Sequence, residues 1–333
     1  MLRTFQIDPE PAQQLLPTGA SMRFEGLGYS SSGAVLGAAT ADTHEALLFR
    51  RGADGRFASA PFCTLAGLQY PHDISFENSG SEILAVAQRA GAVALFEPAG
   101  ETYGPAPSFE IAGPDTKLEF TDAVAFVPGS DHLAACNLSL GTVSFYRVLS
   151  RKPVRIETAP CYELKHPAMD HPDGIAFSND GAWLASANHG SHSVTIFRRG
   201  ANAGDPIYGP YPVADIRDDD LRYPHSVAFT DNGHLIMTNA GANYMKVYRF
   251  TAGRTARDLS VAPVFKMAVN EEATFHEVNN RNKMEGGPKG LAVHGNEIAV
   301  CSPEIGIKIY RFREETLLDR LKRFIVGSSA ATH

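Results

Sequence analysis

The chain repeats itself about every fifty residues, and that periodicity restricts the folds open to it more than any other feature. The clearest unit is His171-Pro172-Asp173-Gly174-Ile175-Ala176-Phe177, the turn Ser178-Asn179-Asp180-Gly181, then Trp183-Leu184-Ala185-Ser186-Ala187-Asn188, a loop, and Val194-Thr195-Ile196-Phe197. This order reads as strand, Asp-Gly hairpin, strand, short loop, strand. Tyr29, Phe76, Phe126, Phe177, Phe229 and Val293 fall at one equivalent position, with spacings of 47, 50, 51, 52 and 64 residues. Each copy has a Gly- or Pro-containing turn and a third strand such as Leu47-Leu48-Phe49 or Val143-Ser144-Phe145-Tyr146. Each interval also holds a more variable fourth strand, for example Phe57 to Leu65 or Val261 to Val269. Six copies of four antiparallel strands, packed radially so that edges are protected, predict an all-β fold, a six-bladed β-propeller.

The repeat also decides domain count. A chain of 333 residues would otherwise suggest two domains, but 44% hydrophobic residues spread over equivalent units suit a single ring. Blade cores are expected near 22–65, 70–112, 118–164, 171–216, 223–269 and 287–312. The wide last interval carries a segment, 270–287, rich in Glu, Asn, Arg and Lys, which reads as a long loop that covers or shapes a pocket. Leu2 to Ile7 is expected to add an outer strand to the last blade. Leu317, Leu318, Leu321, Phe324 and Ile325 share one helical face, predicting a short C-terminal helix over 314–326 that packs on the ring or joins two copies.

A net charge of -7 without a Lys/Arg block excludes nucleic acid and anionic membranes as partners. The start, Met1-Leu2-Arg3-Thr4-Phe5-Gln6, lacks the apolar region of a secretion signal, and no run of about 18 apolar residues exists. A soluble cytoplasmic protein, monomer or homodimer, is expected. Cys63, Cys136, Cys161 and Cys301 are far apart, so neither a disulfide framework nor a zinc ribbon is suggested.

In a propeller the innermost strands start at the channel mouth, so aligned residues there converge on the axis. Those residues are Glu25, His72, Asp122, Asp173, His225 and Lys289, all ionisable. The second strands end on the same face with Thr40, Gln88, Asn137, Asn188, Asn239 and Ser302, all polar. Carboxylates and imidazoles crowded at one mouth must shift in pKa or share a cation. Carboxylate and amide oxygens suit calcium or magnesium, while imidazole beside them admits manganese, zinc or iron. The expected cofactor is a divalent metal, calcium foremost, or none. Gln88, Asn137, Asn188 and Asn239 offer substrate contacts, and the three asparagines, which end strands, equally fit a role in satisfying turn backbone. Asp122 and Asp173 fit a backbone-capping role as well as a chemical one, and the loop residues Asp42, His44, His189 and His192 fit a solvated loop.

Glu25-Gly26 in the first blade, and Pro172-Asp173-Gly174-Ile175-Ala176-Phe177 with Asp180-Gly181 in the fourth, resemble the gluconolactonase/regucalcin family, whose relatives include paraoxonase and strictosidine synthase. That resemblance implies a metal held on the axis by Glu25, Asp173 and His225, with Asp173 standing where the family has Asn and His225 where it has Asp. The Tyr-Pro-His phrases and Ala187-Asn188 with Val194-Thr195-Ile196-Phe197 also resemble the seven-bladed lactonase family, whose chemistry is usually metal-free. The expected function is hydrolysis of a small lactone or ester. Glu25 and Asp173, joined by Asp122 or His225, would hold the metal, and His72 or His225 would act as base. Lys289 would stabilise the oxyanion. Two other readings stay open: metal-free condensation, cyclisation or isomerisation by Glu25 and the histidines, and a non-catalytic interaction platform.

Overall fold

The computed structural model describes residues 3–15, 22–202, 205–251, 259–282, 284–303 and 305–316. They form a six-bladed β-propeller of antiparallel sheets. The inner strands are Phe24–Tyr29, Pro71–Phe76, Thr121–Phe126, Pro172–Phe177, Pro224–Phe229 and Leu291–His294, each paired outward with the strand that follows it. Because side chains alternate across a strand, each sheet has two apolar faces, and these meet the neighbouring blades. The result is six separate wedges of core, one per blade junction. Leu48, Ile74 and Phe76 fill the first, and Ile7, Val247, Leu291 and Tyr310 the fifth. The sixth, Leu15, Phe24, Leu36 and Ile307 with their neighbours, joins the last blade to the first.

Ring closure comes from the N-terminal segment. Arg3–Ile7 pairs antiparallel with residues 312–316, and Gln13–Leu15 with residues 307–309, so two short strands share the outer edge of blade six. Phe5 and Ile7 are buried there against Phe312.

Two expectations about connecting segments change. Part of the segment 270–287 is helix rather than loop: Glu272–Arg281 is the one α-helix among the described residues. Phe275 and Val278, three apart, are buried while Glu277 between them is exposed, a helical spacing that the segment's many charges mask in the sequence. At the other end, the strand Gly306–Thr316 continues through the expected start of a C-terminal helix at 314. Alternate burial of Tyr310 and Phe312, and pairing with Arg3–Ile7, hold it extended; Glu314 there accepts from Thr230 Oγ1 at 3.0 Å. The rest of that helix, 317–326, lies outside the described residues. No described helix is long and apolar enough to cross a membrane.

Candidate functional site at the propeller axis

The backbone is specialised where each inner strand begins. One extra residue is inserted against the second strand between Phe24 and Leu27, Pro71 and Asp73, Thr121 and Ala123, Pro172 and Gly174, and Pro224 and Val227. Bulges of this kind re-aim side chains, and here they bracket Glu25, His72, Asp122, Asp173 and His225. Two residues upstream, Tyr70, Phe120, His171 and Tyr223 all adopt φ of 50 to 53°, a left-handed conformation that costs a bulky residue about 1 kcal/mol or more. His44 Nδ1 and His192 Nδ1 accept from the strained Tyr70 and Tyr223 amides at 3.1 and 2.9 Å, giving these two loop histidines a positioning task.

Glycines then draw the strands together. A Cβ on Gly26 would lie 2.5 Å from Asp73 Cα, on Gly174 2.3 Å from the His225 carbonyl, and on Gly290 2.7 Å from the Glu25 carbonyl. These follow Glu25, Asp173 and Lys289 in sequence, so the ring contracts where its charged members sit. The outcome departs from the open mouth expected above: no ring residue exceeds 2% exposure. The larger cavity, about 850 Å³, is at the opposite face, lined by turn residues such as Ser30, Asn78, Asp131 and Asp231. From there a narrow lumen of about 200 Å³ reaches Asp73, Gly174 and Ser226 below the ring.

All six expected ring residues are brought together. Glu25 Oε2 is 2.6 Å from Lys289 Nζ, 3.5 Å from His225 Nε2 and 3.6 Å from His72 Nε2. Asp173 Oδ1 is 3.7 Å from His225 Nε2. His72 Nδ1 lies 2.8 Å from the Asp122 carbonyl oxygen. A carbonyl only accepts, so Nδ1 carries the proton and Nε2 presents its lone pair to the centre. His72 Nε2, His225 Nε2 and Asp173 Oδ1 are buried without a hydrogen-bond partner. Arg23 Nε approaches Glu25 Oε1 to 2.6 Å, but without hydrogen-bond alignment. The two imidazole rings stack with centroids 4.9 Å apart.

Burial sets the charge states. It drives His72 well below the usual imidazole range and His225 down to about 4, so both are neutral at pH 7. Burial also raises Asp173 well above the carboxylate range, with neighbouring Asp122 adding to it, and lifts Asp122 to about 6 against the pull of Arg89. Glu25 goes the other way: burial opposes its ionisation, but Lys289, His225, His72 and Arg23 together hold it well below the usual range. In the lumen, Asp73 accepts from the Val124 amide at 3.2 Å and is pushed by burial up to about 7.

Four contributors escape sequence reasoning: Arg23, Asp73, Arg89 and Glu285. Arg89 Nε donates to Asp122 Oδ1 at 2.6 Å, and Glu285 Oε2 accepts from both Arg23 Nη2 at 2.7 Å and Lys289 Nζ at 3.0 Å. A faint signal existed, since Arg23 is the first-blade counterpart of Tyr70, Phe120, His171 and Tyr223. The second ring is engaged in local hydrogen bonds. Asn137 bonds Glu119 N, Thr121, Thr142 and Ser144, and Asn188 bonds Ser186, Ser193 and Thr195. Asn239 bonds Arg222 N and the Tyr244 carbonyl, and Gln88 bonds Gln69 N and Glu110. Thr40 and Ser302 bond Glu45 O and Asn270. For the three asparagines these partners include turn and strand groups of their own blades.

No family model matches the chain, and no curated protein matches it.

Proposed function

We propose that the axial cluster is a divalent-metal centre of a small-molecule hydrolase acting on a lactone or ester, in the manner of the gluconolactonase/regucalcin family it resembles. The observation that carries this reading is the convergence of buried donor atoms on one point, with His72 Nε2 and His225 Nε2 lacking a hydrogen-bond partner. The neutral His72 Nε2 lone pair 3.6 Å from an ionised carboxylate oxygen is repulsive, and a cation between the two, within reach of His225 Nε2 at 3.5 Å from the same oxygen, would relieve it. The spacing fits, because a tetrahedral ion with bonds of about 2.1 Å sets its donors about 3.4 Å apart.

Glu25, His72 and His225 are the residues that would hold the ion, and these three are mutually within ligand reach. His72 has the outer partner typical of a ligating imidazole, its other nitrogen donating to a carbonyl. Two imidazoles move the preference from calcium toward zinc, manganese or iron. When bound, such an ion supplies Lewis-acid polarisation of a carbonyl and acidifies water. The chain's own groups do the rest. Asp173, which burial and neighbouring Asp122 push toward its protonated form, faces the same point with Oδ1 and is placed to protonate a leaving alkoxide. Lys289 Nζ is a fixed cation for developing oxyanion charge. Arg89 holds Asp122, whose carbonyl orients His72.

One observation favours a second reading, metal-free proton-transfer chemistry such as condensation, cyclisation or isomerisation. The carboxylates of Glu25, Asp122 and Glu285 are matched by Lys289, Arg23 and Arg89, and burial favours the neutral form of Asp173, so the cluster can balance its charge without an ion. Elemental analysis separates the two. After divalent ions are offered and excess removed, wild type should retain one ion that Glu25→Gln and His225→Leu lose while their circular dichroism is unchanged. That result would justify a lactone and ester screen; wild type that retains none would overturn the metal reading in favour of the second.

A further inference from the structure

Five of the six ring side chains are fixed by bulged inner strands, and Lys289 stands one residue before the glycine whose backbone bonds Cys301. Glu285 is different. It belongs to the connection between the helix Glu272–Arg281 and blade six, yet its carboxylate reaches the ring. One oxygen, Oε2, takes Arg23 Nη2 at 2.7 Å, Lys289 Nζ at 3.0 Å and Asn282 Nδ2 at 3.1 Å. A guanidinium from the first blade and a fully buried ammonium from the last therefore converge on an acceptor that the propeller itself does not supply.

We propose that the site binds its small molecule through a carboxylate group, which displaces Glu285 from Arg23 and Lys289. The inference rests on the small-molecule reading above and narrows it to lactones or esters bearing a free carboxylate. The ring is closed, so a ligand entering from this face must move part of the cover. Gly287 cannot yield: its amide donates to the Ala240 carbonyl at 2.7 Å, and a Cβ there would lie 2.2 Å from the Ala242 carbonyl. The Glu285 side chain, 15% exposed, is the part of the cover that a ligand would have to displace. Withdrawing Glu285 alone would leave fully buried Lys289 and part-exposed Arg23 to share Glu25, with one positive charge uncompensated. A ligand carboxylate restores the balance and a neutral ligand does not, so electrostatics select an anion. The bidentate fork of Arg23 beside the point charge of Lys289 suits a planar carboxylate.

The test is calorimetric titration of the full chain with benzoate, and with benzamide as its uncharged match, in chloride-free buffer. In wild type the tethered Glu285 competes at an effective concentration on the order of millimolar or above, so benzoate should bind weakly. Glu285→Ala should bind benzoate at least about tenfold more tightly, with no gain for benzamide. Lys289→Met or Arg23→Gln added to Glu285→Ala should abolish the gain; Arg23, 40% exposed in its side chain, is the variant that keeps the test open if Lys289→Met does not fold. Equal affinity in wild type and Glu285→Ala, an equal gain for benzamide, or a gain that survives Arg23→Gln would each overturn the proposal. Metal content of the same samples keeps the two ideas apart. A benzoate gain in metal-free protein upholds this inference and ends the metal reading, and a metal-loaded protein without the gain does the reverse.

Discussion

Replacing Lys289 by methionine tests the electrostatics of the axis most directly. The side chain is fully buried, and its ammonium lies 2.6 Å from Glu25 and 3.0 Å from Glu285. Methionine keeps most of the stem volume and removes the charge, leaving Glu25 ionised beside two neutral imidazoles with Arg23 poorly aligned. Breaking a buried pair from one side costs about 3–5 kcal/mol, a large part of the 5–15 kcal/mol typical of a folded domain. Removing both charges should recover much of that, because a buried pair replaced by apolar groups is often neutral. Lys289→Met/Glu25→Leu is therefore expected to lie at least about 2 kcal/mol above the sum of the single variants. Urea unfolding followed through Trp183, the single tryptophan, measures both, with near-ultraviolet circular dichroism checking that one transition is seen. A loss below about 1 kcal/mol for Lys289→Met, or strict additivity in the double variant, would refute the picture of a desolvated, mutually dependent pair.

Three further outcomes are expected. Gly174→Ala should destabilise by about 2 kcal/mol or more, since its Cβ would lie 2.3 Å from the His225 carbonyl, and an unchanged melting temperature would show that the inner strands are not in forced contact. Glu285 is held down at about 2 because Lys289 outweighs burial, so its contribution is present above the unfolded value of 4.5 and fades as pH falls toward 2. Wild type should lose about 1 kcal/mol between pH 5 and 3.5 that Glu285→Gln does not, and parallel stability profiles for the two would contradict this. Asn188→Ala should cost about 1–3 kcal/mol in unfolding free energy and, on the metal reading proposed above, leave metal content unchanged, because its side-chain amide bonds Ser186, Ser193 and Thr195. Loss of metal at intact stability would return Asn188 to the site.

Blade number and the identity of the ring are local properties, and both were legible in the chain. Each strand start repeats the same neighbourhood, so Glu25, His72, Asp122, Asp173, His225 and Lys289 align without knowledge of the fold. The aligned polar ends of the second strands were equally visible, but alignment carries no direction, and whether Asn188 turns to the axis or to its own hairpin depends on rotamer and register. The helix at 272–281 was obscured for a similar reason: its apolar contacts are few, and its charges resemble those of a loop.

What the sequence determined alone is periodic: six units, an inner ring of ionisable groups, and a segment before the last blade set apart by composition. Tertiary structure decided everything that depends on the ring closing. Glu25 meets Lys289 across 264 positions, and Arg23 meets Glu285 across 262, only because six blades complete a circle. The ring is sealed rather than open because Gly26, Gly174 and Gly290 let strands of different blades touch. Those contacts are set by the angle between blades and by side-chain direction. Neither is written in a repeat, which specifies each blade separately and leaves to packing the point at which all six converge.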